Sequence, residues 1–327
     1  MHKTSTAQLS TPSAAWQGAF WIMLSHTCFS GINAVVRHWS GGVDAGIESL
    51  PVPVIQFFQN LFGTLFLLPW ILKARVGSFK IRYVGLHLTR IAASVLGIYL
   101  WYLSLKAMPI AESVALGFTG PIVSIIAASI WLKEKINLQR LLAIILSLTG
   151  AFVISRPDLA LSENVHAIGL AALLPLSSAL AIAISKLLTR KLTTLGETPT
   201  VLATYLLLLM APVSLVPALY EWTTPSITHW PWLILLGALA AGAHLSFAKA
   251  YQLAEVTFLT PIGFSKFFIN VLVGYLVFSE LPVEKSLWIG VATIFASIFV
   301  LSYSSFRPVL LDYKISLYSW ANRFRSS

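Results

Sequence analysis

Ten times along this chain a run of about twenty residues passes with almost no charge, the length that crosses the hydrocarbon core of a bilayer as a helix. The runs are 16–38, 52–72, 86–105, 110–132, 139–155, 167–188, 199–219, 231–251, 256–278 and 286–305. Charged residues make up only 10% of the chain and mean hydropathy is +0.80, whereas soluble domains carry roughly 25% charged residues. Too little polar side chain exists to cover a globule in water, so the solvent is a bilayer. The alternating ten-residue pattern of a membrane barrel is missing. The expected fold is therefore all-α and integral to a membrane, with ten transmembrane helices. The first run is too long for a signal-peptide core and lacks a small-residue cleavage site, so it reads as a retained span.

The cations fall unevenly. With the N-terminus inside, sixteen Lys and Arg lie in cytoplasmic segments, against four on the other side: Arg37, Lys106, Arg156 and Lys285. Arg90 and Lys266 fall within spans. This bias places both termini in the cytoplasm, with a bacterial inner membrane as the expected location. The net charge of +10 is thus topological, and no basic helix or aromatic-basic ladder points to nucleic acid. The single cysteine, Cys28, leaves no disulfide framework. Walker, HExxH and GxSxG motifs are all absent, so no enzyme, cofactor or metal site is expected. The expected partners are a small molecule and the lipid, for a monomer or homodimer.

A repeat sets the organisation. "KAMPIAE" (106–112) and "KAYQLAE" (249–255) share KAxxxAE at a separation of 143; Glu134 and Glu280 are 146 apart, and "AFVIS" (151–155) and "IFVLS" (298–302) are 147 apart. Three echoes in one order indicate a duplicated five-helix unit. Five is odd, so the second copy enters the membrane from the opposite side. Inverted repeats of this kind belong to alternating-access carriers, with substrate held near the midplane. The expected division is a cytoplasmic tail (1–15), a first repeat (16–155), a linker (156–166), a second repeat (167–305) and an amphipathic basic cytoplasmic tail (306–327) held by anionic lipid.

The stretches "FFQNLFGTLFLLPW" (57–70), "TRIAASVLGIYLWYLSLKAMPIAESVAL" (89–116) and "FAKAYQLAEVTFLTPIGFSKFFINVLVGYLVFSELP" (247–282) resemble the drug/metabolite transporter superfamily, in its ten-helix EamA type. Gln59-Asn60 stands where similar proteins often carry Arg-Asn. The resemblance implies a metabolite transporter, and the second-half pattern is similar to branches that include S-adenosylmethionine carriers.

Candidate site residues follow from cost. Lys266 sits near the centre of the ninth span, where a lysine is expensive and must face protein or water, and Asn270 shares its face one turn on. Pro261 with Gly263, and Gly120 with Pro121, interrupt corresponding spans of the two halves as expected hinges. Arg90, Ser94 and Trp101 share one face of the third span; Arg90 contacts substrate or anchors at the interface. His26, Ser30, Asn33 and Arg37 form a polar stripe on the first span, read as cavity-lining. Tyr102, Phe118 and Phe264 flank these positions and are either core or a stacking surface; His244 faces the same cavity or packs. Glu112 and Glu255 help to start helices, and Glu280 suits an interfacial ion pair, with Lys285 as a partner. Cations without mid-span carboxylates favour a substrate with an anionic group, amino-acid-like, S-adenosylmethionine-like or otherwise. The expected function is secondary transport by alternating access; the alternative is a flippase for a lipid or lipid-linked intermediate.

Overall fold

The computed structural model describes residues 12–41, 48–73, 83–131, 138–155, 171–197, 199–253, 259, 262–263, 265–280 and 285–300. These form helices and short connections, with no strand among the described residues. In chain order the helices are α1 (Pro12–Trp39), α2 (Val52–Lys73), α3 (Val84–Ala107), α4 (Ile110–Gly117), α5 (Gly120–Trp131) and α6 (Leu138–Ser155). They continue with α7 (Leu173–Thr194), α8 (Pro199–Tyr220), α9 (Trp230–Leu253), α10 (Ser265–Phe278) and α11 (Lys285–Val300). Stretches in α1, α2, α3, α7 and α9 are long and apolar enough to cross a membrane, and five shorter apolar helices accompany them. Residues 1–11 of the expected tail 1–15, the tail 306–327, the linker 156–166, Glu134, Glu255, Pro261 and Phe264 lie outside the described residues.

Proline sets the breaks. Pro109 holds the preceding Met108 extended, at φ −148° and ψ 162°, because a residue before proline is driven out of the α region. α3 therefore stops and α4 starts within three residues. Pro121 has no N–H to give to the Gly117 carbonyl four residues back. The fourth apolar run accordingly splits into α4 and α5 around Phe118-Thr119, where the Thr119 hydroxyl donates to the Leu116 carbonyl at 2.7 Å. Two ends differ from expectation. α1 begins at Pro12, a residue whose fixed φ suits the first helical position. α7 continues to Thr194, past 188, because long cationic side chains can ride a helix beyond the apolar core.

The bundle packs α1 against α9, α3 against α7, and α2 against both α8 and α9. Small residues let these backbones approach. A Cβ on Gly237 would lie 2.2 Å from Phe62 Cβ, and one on Gly97 would lie 2.7 Å from the Ile182 side chain. Ile32, Val36, Ile55, Leu105, Leu116, Leu236 and Phe267 are buried in one continuous core. Outside it, Leu141, Leu142, Ile145, Leu148 and Phe152 of α6, with Phe268, Leu272 and Leu276 of α10, are exposed. Apolar surface of that extent is insoluble in water and native to lipid. The protein is an integral membrane helical bundle.

Candidate functional site

A cavity of about 440 Å³ lies between the helices, within the size range of small-molecule sites. α1 contributes Phe29 and Asn33; α2 contributes Gln59, Asn60 and Thr64; α3 contributes Ile98, Trp101 and Tyr102. Gly117 and Phe118 close α4, Gly120 and Ser124 come from α5, and Ser178, Ile182 and Lys186 from α7. His244 of α9 and Lys266 of α10 complete the wall.

The polar groups are organised by a short relay. The Trp101 indole N–H donates to Asn33 Oδ1 at 3.1 Å, Asn33 Nδ2 donates to Asn270 Oδ1 at 2.8 Å, and Asn270 Nδ2 donates to the Lys266 carbonyl at 2.7 Å. Each amide is fixed at both ends, which holds Trp101 and the first turn of α10 in register. Above the relay, Lys266 Nζ stands 5.6 Å from the Phe29 ring centre and 5.7 Å from that of Trp101, a cation–π arrangement. The ring of Phe29 in turn meets His244 edge to face at 5.9 Å. On the α2 side, the Tyr102 hydroxyl donates to Gln59, and Asn60 Nδ2 donates to Ser214 Oγ at 3.1 Å.

Of the expected site residues, Lys266, Asn33, Trp101, Tyr102, Phe118, His244 and Gly120 line the cavity. Asn270 is completely buried one layer behind Asn33. Gly263 lies in the turn before α10, and its carbonyl accepts from the Lys266 N–H at 3.3 Å. Pro121 belongs to the first turn of α5. Arg90 and Ser94 are placed elsewhere. Buried Arg90 donates to the Leu202 carbonyl at 2.8 Å and to Thr189 Oγ1 at 3.4 Å. Ser94 bonds Ser185 at 2.7 Å. Their face of α3 meets α7 and α8, so both fasten helices together.

The stripe on α1 also departs from expectation. Only Asn33 reaches the cavity; the stripe is instead a seam with α10, which runs parallel to it. His26 Nδ1 bonds Ser265 Oγ at 2.9 Å, Asn33 bonds Asn270, and Arg37 pairs with Glu280. Arg37 also donates to the carbonyls of Leu105 and Met108, while Glu280 Oε2 accepts the Ile110 N–H at 3.0 Å, at the start of α4. Glu280 therefore pairs with Arg37 and not with the nearer-in-sequence Lys285. It is aimed there by Ser279, which takes φ +55° and ends α10 with an N–H bond to the Tyr275 carbonyl at 3.1 Å.

Sequence reasoning missed Lys186, which was counted among the cytoplasmic cations at the end of the sixth span. It lines the cavity from α7, as Lys266 does from α10. The signal that finds it is the length of the helix beyond it, through Leu187-Leu188 to Thr194.

Packing around Trp101 yields a test. A Cβ on Gly117 would meet the indole at 2.8 Å, so Gly117→Ala tilts the ring and breaks its bond to Asn33. Ligand affinity is expected to fall about tenfold, because a misplaced positioning group costs binding steeply. Unchanged affinity, measured by ligand titration of purified protein, would show that Trp101 does not set the site.

A model of the EamA-like transporter family matches residues 16–156. A riboflavin transporter of Vibrio cholerae serotype O1 is 32% identical over 286 residues, which cover 86% of this chain and 91% of that protein. An S-adenosylmethionine uptake transporter of Rickettsia bellii is 24% identical over 284 residues, covering 87% and 93%. One crystal structure shares the fold with a TM-score of 0.56 at 15% identity, over 91% of this chain and 99% of the other.

Proposed function

The chain belongs to the EamA-like transporter family of the drug/metabolite transporter superfamily, and from that premise we propose a carrier of flavin-class metabolites that works by alternating access. It is a small-metabolite transporter of a membrane. The observation that carries the finer reading is the cavity wall: Phe29, Trp101, Tyr102 and Phe118 beside the amides of Asn33, Gln59 and Asn60, with the Lys266 ammonium over two of the rings. A planar heteroaromatic ring edged with carbonyl oxygens finds faces to stack on and donors for its acceptors. The riboflavin transporter of Vibrio cholerae, similar over most of both chains, supports the same class.

Alternating access draws support from several features. The family model's extent coincides with the first repeat read from the sequence. Two seams, α1 with α9 and α3 with α7, are the counterparts expected when the halves are exchanged. The break between α4 and α5 has a counterpart in the turn at Gly263 before α10, which supports the reading of one hinge in each half. In this reading both termini face the cytoplasm of a bacterial inner membrane, and the amide lining suits a polar metabolite better than a lipid chain.

Proteoliposomes containing the full chain should accumulate labelled riboflavin, and riboflavin fluorescence should fall on binding. Trp101→Ala should weaken binding about tenfold through the lost stacking partner. Uptake of S-adenosylmethionine without any of riboflavin would sink the flavin reading. The structure argues against that outcome, because a sulfonium cation would enter beside two lysines.

A further inference from the structure

We infer that Lys186 is a specificity-determining residue: together with Lys266 it makes one wall of the cavity cationic, so that the carrier takes planar ligands presenting negative charge or carbonyl oxygens and rejects cations. The inference rests on the proposal that this cavity is the substrate site.

The placement of Lys186 is what makes it more than an interfacial cation. It stands one turn beyond Ile182 and two beyond Ser178, and all three line the cavity from one face of α7. The helix continues from Lys186 to Thr194, roughly 12 Å at the helical rise, so the residue is not at the helix end; its side chain is exposed and lines the cavity. Lys266 lines the same cavity from α10. Among the described residues the acids are Glu48, Glu112, Glu197, Glu221 and Glu280, and none of them lines the cavity. Glu280 is already committed to Arg37, and Glu197 lies against His87.

Two like charges in one low-dielectric cavity are unfavourable until a counter-charge enters. A ligand bearing a phosphate, a carboxylate or a row of carbonyl oxygens supplies it and relieves the repulsion. A cation adds a third like charge and is excluded by the same field. The wall from α1, α2 and α3 carries no charged side chain, only amides, the hydroxyls of Thr64 and Tyr102, rings and aliphatic groups, and α9 adds the imidazole of His244. Ligand orientation follows: the ring lies against Trp101 and Phe29, and the electron-rich edge points to α7 and α10.

Two ligand pairs differ mainly in charge, riboflavin with its 5′-phosphate and S-adenosylhomocysteine with S-adenosylmethionine. Thermal shift of the full-length protein in lipid nanodiscs should show the more negative member of a binding pair bound about tenfold tighter. Lys186→Glu, which sets a carboxylate against Lys266, should level the pair, and Lys186→Arg should keep the order; Lys186→Gln, which leaves Lys266 as the one cation of the wall, should narrow the preference. Retention of the full wild-type preference by both Lys186→Glu and Lys186→Gln would overturn the inference. Response to the adenosyl pair alone, with the expected charge order, would leave the lysine inference standing and reject the flavin reading. No response of the wild type to either pair would overturn both.

Discussion

Lys266→Glu is expected to abolish uptake, with riboflavin accumulation in proteoliposomes falling at least about a hundredfold while the protein still inserts and elutes as the wild type does. An intramembrane cation is kept where function requires it, because its desolvation is costly. Here the charge is compensated only by the faces of Phe29 and Trp101 and by no acidic side chain among the described cavity residues. Reversing it turns a donor into a repelling acceptor exactly where the ligand's oxygens would dock, and it removes the cation–π contact that holds both rings. Lys266→Gln, which retains a donor without the charge, should lie between, with a raised KM and a smaller loss of maximal rate, since it removes binding shared by ground and transition states. The carboxylate of Lys266→Glu also faces Lys186 and can pair with it, so loss of folding is not the expected cause of failure. Undiminished transport by the glutamate variant would remove Lys266 from the mechanism.

The sequence made the helices legible because a membrane leaves them few alternatives. Span positions follow from apolar length, and their breaks from Pro109 and Pro121, whose effects are local and covalent. The cavity was legible in part for the same reason: Lys266, Asn33 and Trp101 stand out as polar or amphipathic groups deep within apolar runs. What could not be read is which helix each face meets. Arg90 and Ser94 lie on one face of α3, as their spacing requires, but that face packs on α7 and α8. The α1 stripe looked like a cavity lining because its partners, Ser265, Asn270 and Glu280, are more than 230 residues away in the chain. Lys186 was hidden by a different cause. Lys186 lies two residues before the end of the run 167–188 and so reads as a cytoplasmic cation, whereas the helix carries it two turns inside its end.

The second large effect concerns the stability of the bundle at the end that the charge distribution assigns to the outside. Arg37→Met and Glu280→Gln are each expected to destabilise the protein by about 3 kcal/mol, because removing one member of a buried ion pair leaves the other charge uncompensated. Both side chains are largely buried, at 8% and 15% exposure. Each also serves a third party: Arg37 satisfies the Leu105 and Met108 carbonyls at the end of α3, and Glu280 satisfies the Ile110 N–H at the start of α4. Arg37→Met therefore strands a carboxylate that keeps only the helix N-terminus of α4 as a partner. Glu280→Gln strands a guanidinium that keeps two carbonyls, so its loss should be the smaller. The double variant should recover much of the sum, since no unpaired charge remains, and a double-mutant cycle from unfolding in detergent would report that coupling. If the two single losses simply add, the pair is not the tie that joins α1, α4 and α10. If they couple as expected, opening this end during transport requires the bond to break, and the same variants should raise the rate at which a thiol reagent reaches a cysteine placed at Phe29.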